Sequence, residues 1–171
     1  MFERFTKDVR RAVFIGAEEA AVVREDPRIG TEHLLLGVVA AGDTVAAAHG
    51  LTCERLRDLL DRRDSRALAS LGVDAEVAYL GRRLPSGGSS RWLRSRPRNH
   101  VPFTRASKQS LERSLRICRD EGHRRITSAH LLLAALVTNH GNDPAIRLLA
   151  MAGINPSAID RDLRRAWQAG S

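Results

Sequence analysis

The sequence predicts an all-α protein made of two copies of one four-helix unit. No segment sustains the period-2 alternation of a half-buried strand, while apolar residues recur at helical spacing along most of the chain. Short stretches also recur at a near-constant offset. Arg4-Phe5-Thr6-Lys7 matches Pro102-Phe103-Thr104-Arg105 at 98 residues, and Ile29 through Leu36 (IGTEHLLL) matches Ile126 through Leu133 (ITSAHLLL) at 97. His49-Gly50-Leu51 matches Ala152-Gly153-Ile154 at 103, so the second copy is six residues longer around Asn139–Asp143. A repeat of this kind is best read as one structural unit used twice.

Each element has its own signal. Thr6 is expected to N-cap a helix that carries Val9, Ala12, Val13, Ala17 and Ala20 on one face. Thr31 is expected to cap the next helix, whose Leu34, Leu35, Leu36, Val38 and Val39 make it apolar nearly all round and hence central and buried. A short Ala-rich helix over about Thr44 to Ala48 stops at Gly50, a residue suited to the left-handed position past a helix end. Thr52 then caps a helix with Leu56, Leu59 and Leu60. In the second unit Thr104 caps a helix with Leu111, Leu115 and Cys118 that Gly122 closes, and Ser128 caps the Leu131–Val137 run. Asp143-Pro144 and Asn155-Pro156 each place a capping residue before a proline at the first helical position. Between the units, Asp64 to Leu80 has enough pattern for one or two short helices, and Gly81 to Asn99 reads as flexible loop. The expected organisation is repeat one over 1–62, a linker over 63–99 and repeat two over 100–168.

Composition narrows the function class. The 171 residues are 43% hydrophobic and 28% charged, which fits a folded soluble domain. A chain of this size buries about two-thirds of its unfolded surface, so it needs no disulfides, and it has only Cys53 and Cys118, both expected as small core fillers. The N-terminus lacks an apolar signal region, and the longest apolar runs, Leu34–Ala41 and Leu131–Val137, are too short to span a bilayer, so a cytoplasmic protein is expected. The net charge of +8 is local. Val77 to Leu111 holds eight cations and no acid, leaving 20 cations against 20 acids elsewhere. Trp92 among Arg91, Arg94, Arg96 and Arg98 gives an alternative reading, a nucleic-acid-associated regulator using the 81–99 arm; a solvated linker is preferred, since one aromatic among arginines is a weak stacking platform.

Enzyme signatures are missing. There is no GxxxxGK, HExxH or GxSxG, and no catalytic constellation, so a non-enzymatic protein without cofactor or metal is expected. His33 and His130 stand at equivalent repeat positions. Each is expected to pack or hydrogen-bond at its own helix start rather than share a metal across the repeats, because no Cys or carboxylate spacing supports a metal site.

Phe2-Glu3-Arg4-Phe5-Thr6, the Ile29–Gly37 stretch IGTEHLLLG and Val101-Pro102-Phe103-Thr104 together resemble the tandem N-terminal repeat domain of ClpA/ClpC-type unfoldases, with the likeness strongest to the ClpC branch. The resemblance spans both units and omits the connector and any ATPase module. It implies a pseudo-twofold bundle of eight helices that recognises other proteins: clients, adaptors or a Clp unfoldase or protease. In some ClpC-type proteins this domain holds phosphoarginine, for which the resemblance points to Thr6, Thr31, Glu32 and Thr104; a carboxylate accepts the guanidinium and a helix start with a hydroxyl holds the phosphate. In repeat two the family's Thr-Glu-His is Ser128-Ala129-His130, so a second site of this type should be weak or dead. The resemblance also implies a groove for peptides, including Clp-targeting cyclic antibiotics, at Phe2, Arg10, Val13, Phe14, Ala17, His100, Phe103, Lys108 and Glu112. The roles then open to such a module are adaptor, competitor for clients, or sequestering agent for toxic peptides.

Overall fold

The computed structural model describes residues 2–73, 101–138 and 142–169, apart from the Phe2 and Thr138 side chains. Among these residues there are eight α-helices and no strands beyond two isolated bridges. Repeat one contributes α1 (Lys7–Glu18), α2 (Thr31–Ala40), α3 (Thr44–Ala48) and α4 (Cys53–Ser70). Repeat two contributes α5 (Arg105–Asp120), α6 (Ser128–Thr138), α7 (Pro144–Met151) and α8 (Pro156–Ala169). The basic 81–99 arm, and the possible helices expected beyond Val73, lie outside the described residues.

Most of the sequence signals do what their chemistry predicts. The Thr6, Thr52 and Thr104 hydroxyls accept the main-chain N–H of Val9, Arg55 and Ser107, closing the starts of α1, α4 and α5. Asp43 and Asp143 cap α3 and α7 through their carboxylates, and Pro144 fills the first position of α7. Gly50 and Gly122 take the left-handed conformation just past the ends of α3 and α5 (φ +69° and +73°). Three expectations change. Gly30, not Thr31, holds the cap position of α2, and Thr31 is its first helical residue. In repeat two the first α6 bond runs from the Leu131 N–H to the Thr127 carbonyl, which puts Thr127 at the cap and Ser128 one step inside. The helix after Thr52 is also longer than the repeat: α4 runs unbroken past 62 to Ser70, so residues 63–70 extend it rather than form a helix of their own.

α2 and α6 are the paired centre of one continuous core. Leu34, Leu35, Leu36 and Val38 of α2 and Leu131, Leu132 and Leu133 of α6 are all buried, against Phe5, Val9, Leu56, Leu60, Leu148, Ile159 and Leu163 from the surrounding elements. Burying a Leu side chain contributes roughly 1.5–3 kcal/mol, so these two helices anchor both repeats.

The repeats interlock reciprocally. The Thr6 N–H donates to the Ile126 carbonyl (3.0 Å) and the Ile126 N–H to the Arg4 carbonyl (2.9 Å). The same exchange occurs at the equivalent place: Thr104 N–H to the Ile29 carbonyl and Ile29 N–H to the Pro102 carbonyl, both 2.9 Å. A second reciprocal pair lies deeper. The Thr31 hydroxyl donates to Asp143 (2.7 Å) and the Ser128 hydroxyl to Asp43 (2.8 Å), so each central helix is tied to the carboxylate that caps the other repeat's short helix. That is why both copies carry a hydroxyl one residue inside the helix.

Within repeat one, glycines bring α1 and α2 unusually close. A Cβ on Gly37 would lie 1.9 Å from the Ala12 carbonyl oxygen, and one on Gly16 would lie 2.5 Å from the His33 carbonyl oxygen. Repeat two has Ser114 and Ala134 at the equivalent positions, both buried. α1 then passes into one π-helical stretch, Glu19–Val23, where Glu19 turns inward and is gripped by Arg57 through Nε (3.0 Å) and Nη2 (2.7 Å).

Candidate functional site

The loop before α2 and the first turn of α2 build a polar corner in repeat one. The extended Gly30 gives its N–H to His33 Nδ1 (2.9 Å), so that nitrogen accepts and Nε2 carries the proton toward Asp26 (3.0 Å). Burial raises the Asp26 carboxyl, but the His33 bond and the Arg24 and Arg63 charges outweigh it, and its pKa lies below the usual aspartate value. Arg24, almost fully buried, is held by Asp26, Asp61 and Asp64 together. This ionic corner fixes the direction in which α2 begins.

Glu32, the second residue of α2, is the unusual member. It is only 8% exposed, yet its Oε2 has no hydrogen-bond partner. Oε1 faces Arg63 Nη1 at 3.7 Å, close enough for attraction and too far for a hydrogen bond. The side chain folds over Gly30, where a Cβ would come within 2.1 Å of Oε2, so any larger residue at 30 would displace it. An unsatisfied buried acceptor costs about 1–3 kcal/mol, and more when charged. The carboxylate therefore offers a strong unused acceptor to an incoming donor.

Glu32 lines a cleft of about 330 Å³ that draws on residues of both repeats, among them Asp26, Arg28, Thr31, Arg63 and Thr104. Of the four residues singled out for phosphoarginine, Thr31, Glu32 and Thr104 meet here. Thr6 does not line this cleft; it caps α1 beside Ile126, at the start of repeat two's equivalent corner. The exchange between Ile29 and the 102–104 segment explains this, since it brings the start of α5, not of α1, to the mouth of α2. The threonines are also less available than their positions suggest: Thr31 donates to Asp143, and Thr104 caps α5 and contacts Ser107 Oγ at 2.8 Å. Arg63 and Arg28 are the residues that sequence reasoning did not assign. Arg63 lay in what read as linker, and only the continuation of α4 brings it to Glu32.

Repeat two has a different corner on the same plan. The Thr127 N–H donates to His130 Nδ1 (3.0 Å), as Gly30 does to His33, and His130 Nε2 meets His123 Nδ1 at 2.8 Å. The His130 ring stacks on Trp167, with centroids 4.7 Å apart. Burial, with a smaller contribution from His123, pushes the His130 pKa down to about 4, so it is neutral. Ala129 stands where Glu32 does, and no carboxylate replaces it at that position. Both ring nitrogens of His33 and of His130 are thus engaged within their own repeats, as the helix-start reading expected. Among the described residues no group of three His, Cys, Asp or Glu is arranged to hold a metal. Burial raises the thiol pKa of Cys53 and of Cys118; the latter sits in the core.

The residues expected to line a peptide groove are dispersed in character. Phe14 is 68% exposed, and Arg10, Lys108 and Glu112 are exposed as well. Val13 is buried in the core, Phe103 packs against it half-buried and bridges Ile29, and Ala17 is half-buried. The Phe2 side chain and His100 lie outside the described residues. No described helix is long and apolar enough to cross a membrane.

Comparison with known proteins agrees with this architecture. Residues 94–171 match the family model described as the Clp repeat (R) N-terminal domain. The chain is 31% identical over 159 residues to the chaperone protein ClpC1, chloroplastic, of Arabidopsis thaliana, covering 93% of this chain and 14% of that one. It is equally similar to the chloroplastic ClpA homolog, an ATP-dependent Clp protease ATP-binding subunit, of Brassica napus, covering 15% of it. The chain thus spans about one-seventh of the length of these relatives. Among solved structures, the N-terminal domain of the caseinolytic protease associated chaperone ClpD from Arabidopsis thaliana superposes with TM-score 0.70 at 19% identity, over 98% of this chain and 97% of that one. The Hsp104 N-terminal domain from Candida albicans gives 0.61 at 15% identity, over 93% and 88%.

Proposed function

The chain is a Clp N-terminal repeat domain related to those of ClpC- and ClpA-type chaperones, and from that premise we propose that it is a non-catalytic recognition module that takes a phosphoarginine-type group of a client protein in the repeat-one cleft. The observation that carries this reading is the buried Glu32 carboxylate with an unpartnered oxygen, facing a cleft that also holds Arg28 and Arg63. A guanidinium is a fork of N–H donors that matches a carboxylate, and the phosphate it carries is an anion for neighbouring arginines and for the start of α2. Ligand binding replaces the 3.7 Å Arg63–Glu32 approach by direct hydrogen bonds and frees Arg63 for the phosphate. The proposed partners are clients and adaptors of a Clp machine, in the cytoplasm. Calorimetry with phosphoarginine tests it: Glu32→Ala should weaken binding by about 1.5–3 kcal/mol, the range for a hydrogen bond to a charged group, and equal binding by both proteins would remove the assignment.

A second reading rests on Phe14, a large apolar side chain left 68% exposed on α1. It supports docking of an apolar peptide, such as a Clp-targeting cyclic antibiotic, with Arg10, Lys108 and Glu112 as polar handles. In that role the protein sequesters the peptide, and Phe14→Ala should remove the rise in melting temperature that the peptide produces.

A further inference from the structure

On the other side of Arg63 lies a second, larger cleft, of about 630 Å³, between the C-terminal half of α4 and α7. Its described lining is Arg63, Arg66 and Ala67 from α4 and Arg147, Ala150 and Met151 from α7. The spacing is i, i+3, i+4 on both helices, which puts each trio on one face. Together the two helices offer three arginine heads, two from α4 and one from α7, around a floor of small or flexible apolar side chains. The charge is uncompensated. Among the described residues the Arg66 and Arg147 guanidinium groups make no hydrogen bond or ion pair, both residues are exposed, and no acidic side chain lines the cleft. Arg63 alone is paired, with Asp64 and at longer range with Glu32. Unpaired arginines from two helices over an apolar floor form a surface that attracts carboxylates and can hold them bidentately.

We propose that this cleft is a docking site for an acidic peptide segment of a partner protein, with two carboxylates on Arg66 and Arg147 and an apolar side chain between them on Ala67, Ala150 and Met151. The site is separate from the Glu32 cleft and shares only Arg63 with it. The choice of occupant rests on charge: the site is purely cationic, and its apolar floor favours side chains over a bare polyanion.

The test is fluorescence anisotropy with a labelled dodecapeptide that alternates Glu with Ala and Leu, on the full chain. The double variant Arg66→Glu/Arg147→Glu should weaken binding at least about tenfold, and each single Ala variant about threefold. Arg116→Glu/Arg119→Glu makes the same charge change on exposed positions of α5 and should change affinity less than twofold. Glu32→Ala should leave binding intact or tighten it, because Arg63 is released; this separates the outcome from that of the phosphoarginine assignment. Equal loss in the α5 variant would show attraction by net charge alone and overturn the proposal. So would a single-stranded oligonucleotide of matched charge that displaces the peptide more strongly than the unlabelled peptide does, through the same two arginines. Melting temperatures of the variants verify that they fold.

Discussion

Glu32 and Ala129 occupy equivalent positions, the second residue of equivalent central helices, and the two corners around them have opposite chemistry. Repeat one surrounds its corner with ions: Arg24 among three aspartates, Asp26 held by His33, and a carboxylate left without a hydrogen bond on one oxygen. Repeat two fills the same corner with a neutral His130 on His123 and Trp167. The bracing is common to both. Each has a histidine that accepts the cap N–H, a hydroxyl that reaches the other repeat's Asp, and a main-chain exchange with the opposite entry segment. Duplicated residues therefore carry the scaffold, and the proposed ligand site rests on a position where the copies part.

The sharpest way to break the likeness is at the helix contact. Gly37→Ala puts a methyl 1.9 Å from a carbonyl oxygen, and overpacking of that kind should cost about 3 kcal/mol or more. The reverse change at the equivalent position in repeat two, Ala134→Gly, removes a buried methyl from a helix and should cost about 1 kcal/mol. Urea melts of the two variants measure the asymmetry; similar losses would mean that α1 and α2 are no closer than α5 and α6.

Acid should act on the repeats in different pH windows. His130 has a pKa of about 4 in the fold against 6.5 when unperturbed, so between those values the unfolded chain binds a proton that the folded chain refuses. Stability is then complete above about pH 6.5 and falls as pH drops toward 4, by at most about 3 kcal/mol. Asp26 works lower. Its folded pKa is depressed below 3.8, so its contribution is present above that value and is lost as pH falls through the folded one. Denaturation of wild type and His130→Gln across pH 7 to 4.5 should show a slope in the first and a flatter line in the second.

The reciprocal braces should be the most even. Asp143→Ala removes the cap of α7 (Ala145 N–H, 2.9 Å) and the acceptor of the buried Thr31 hydroxyl, about 1 kcal/mol each. Asp43→Ala removes the same pair from α3 and Ser128. Both variants should lose about 2 kcal/mol in denaturant melts, and a large inequality would show that one brace dominates.

The fold was readable because its signals are local. Thr caps, Pro at helix starts, Gly past helix ends and two Leu-rich runs each act within a turn of their own helix. Which helix start faces which was not readable. Thr6 and Thr104 look alike in sequence, and only the pairing of Ile29 with the 102–104 segment makes Thr104 the neighbour of Glu32. Thr31 and Ser128 mimic caps in sequence because a hydroxyl is favoured there for a different reason, a carboxylate about a hundred residues away. Arg63 was missed because the helical pattern beyond it read as separate short helices in a linker, whereas α4 continues through it to Ser70.

The most direct measurement is the calorimetric stoichiometry of phosphoarginine on the full chain. The account predicts one mole bound per chain, abolished or strongly weakened by Glu32→Ala with the melting temperature preserved. Two sites of similar strength, or one site indifferent to Glu32→Ala, would contradict it.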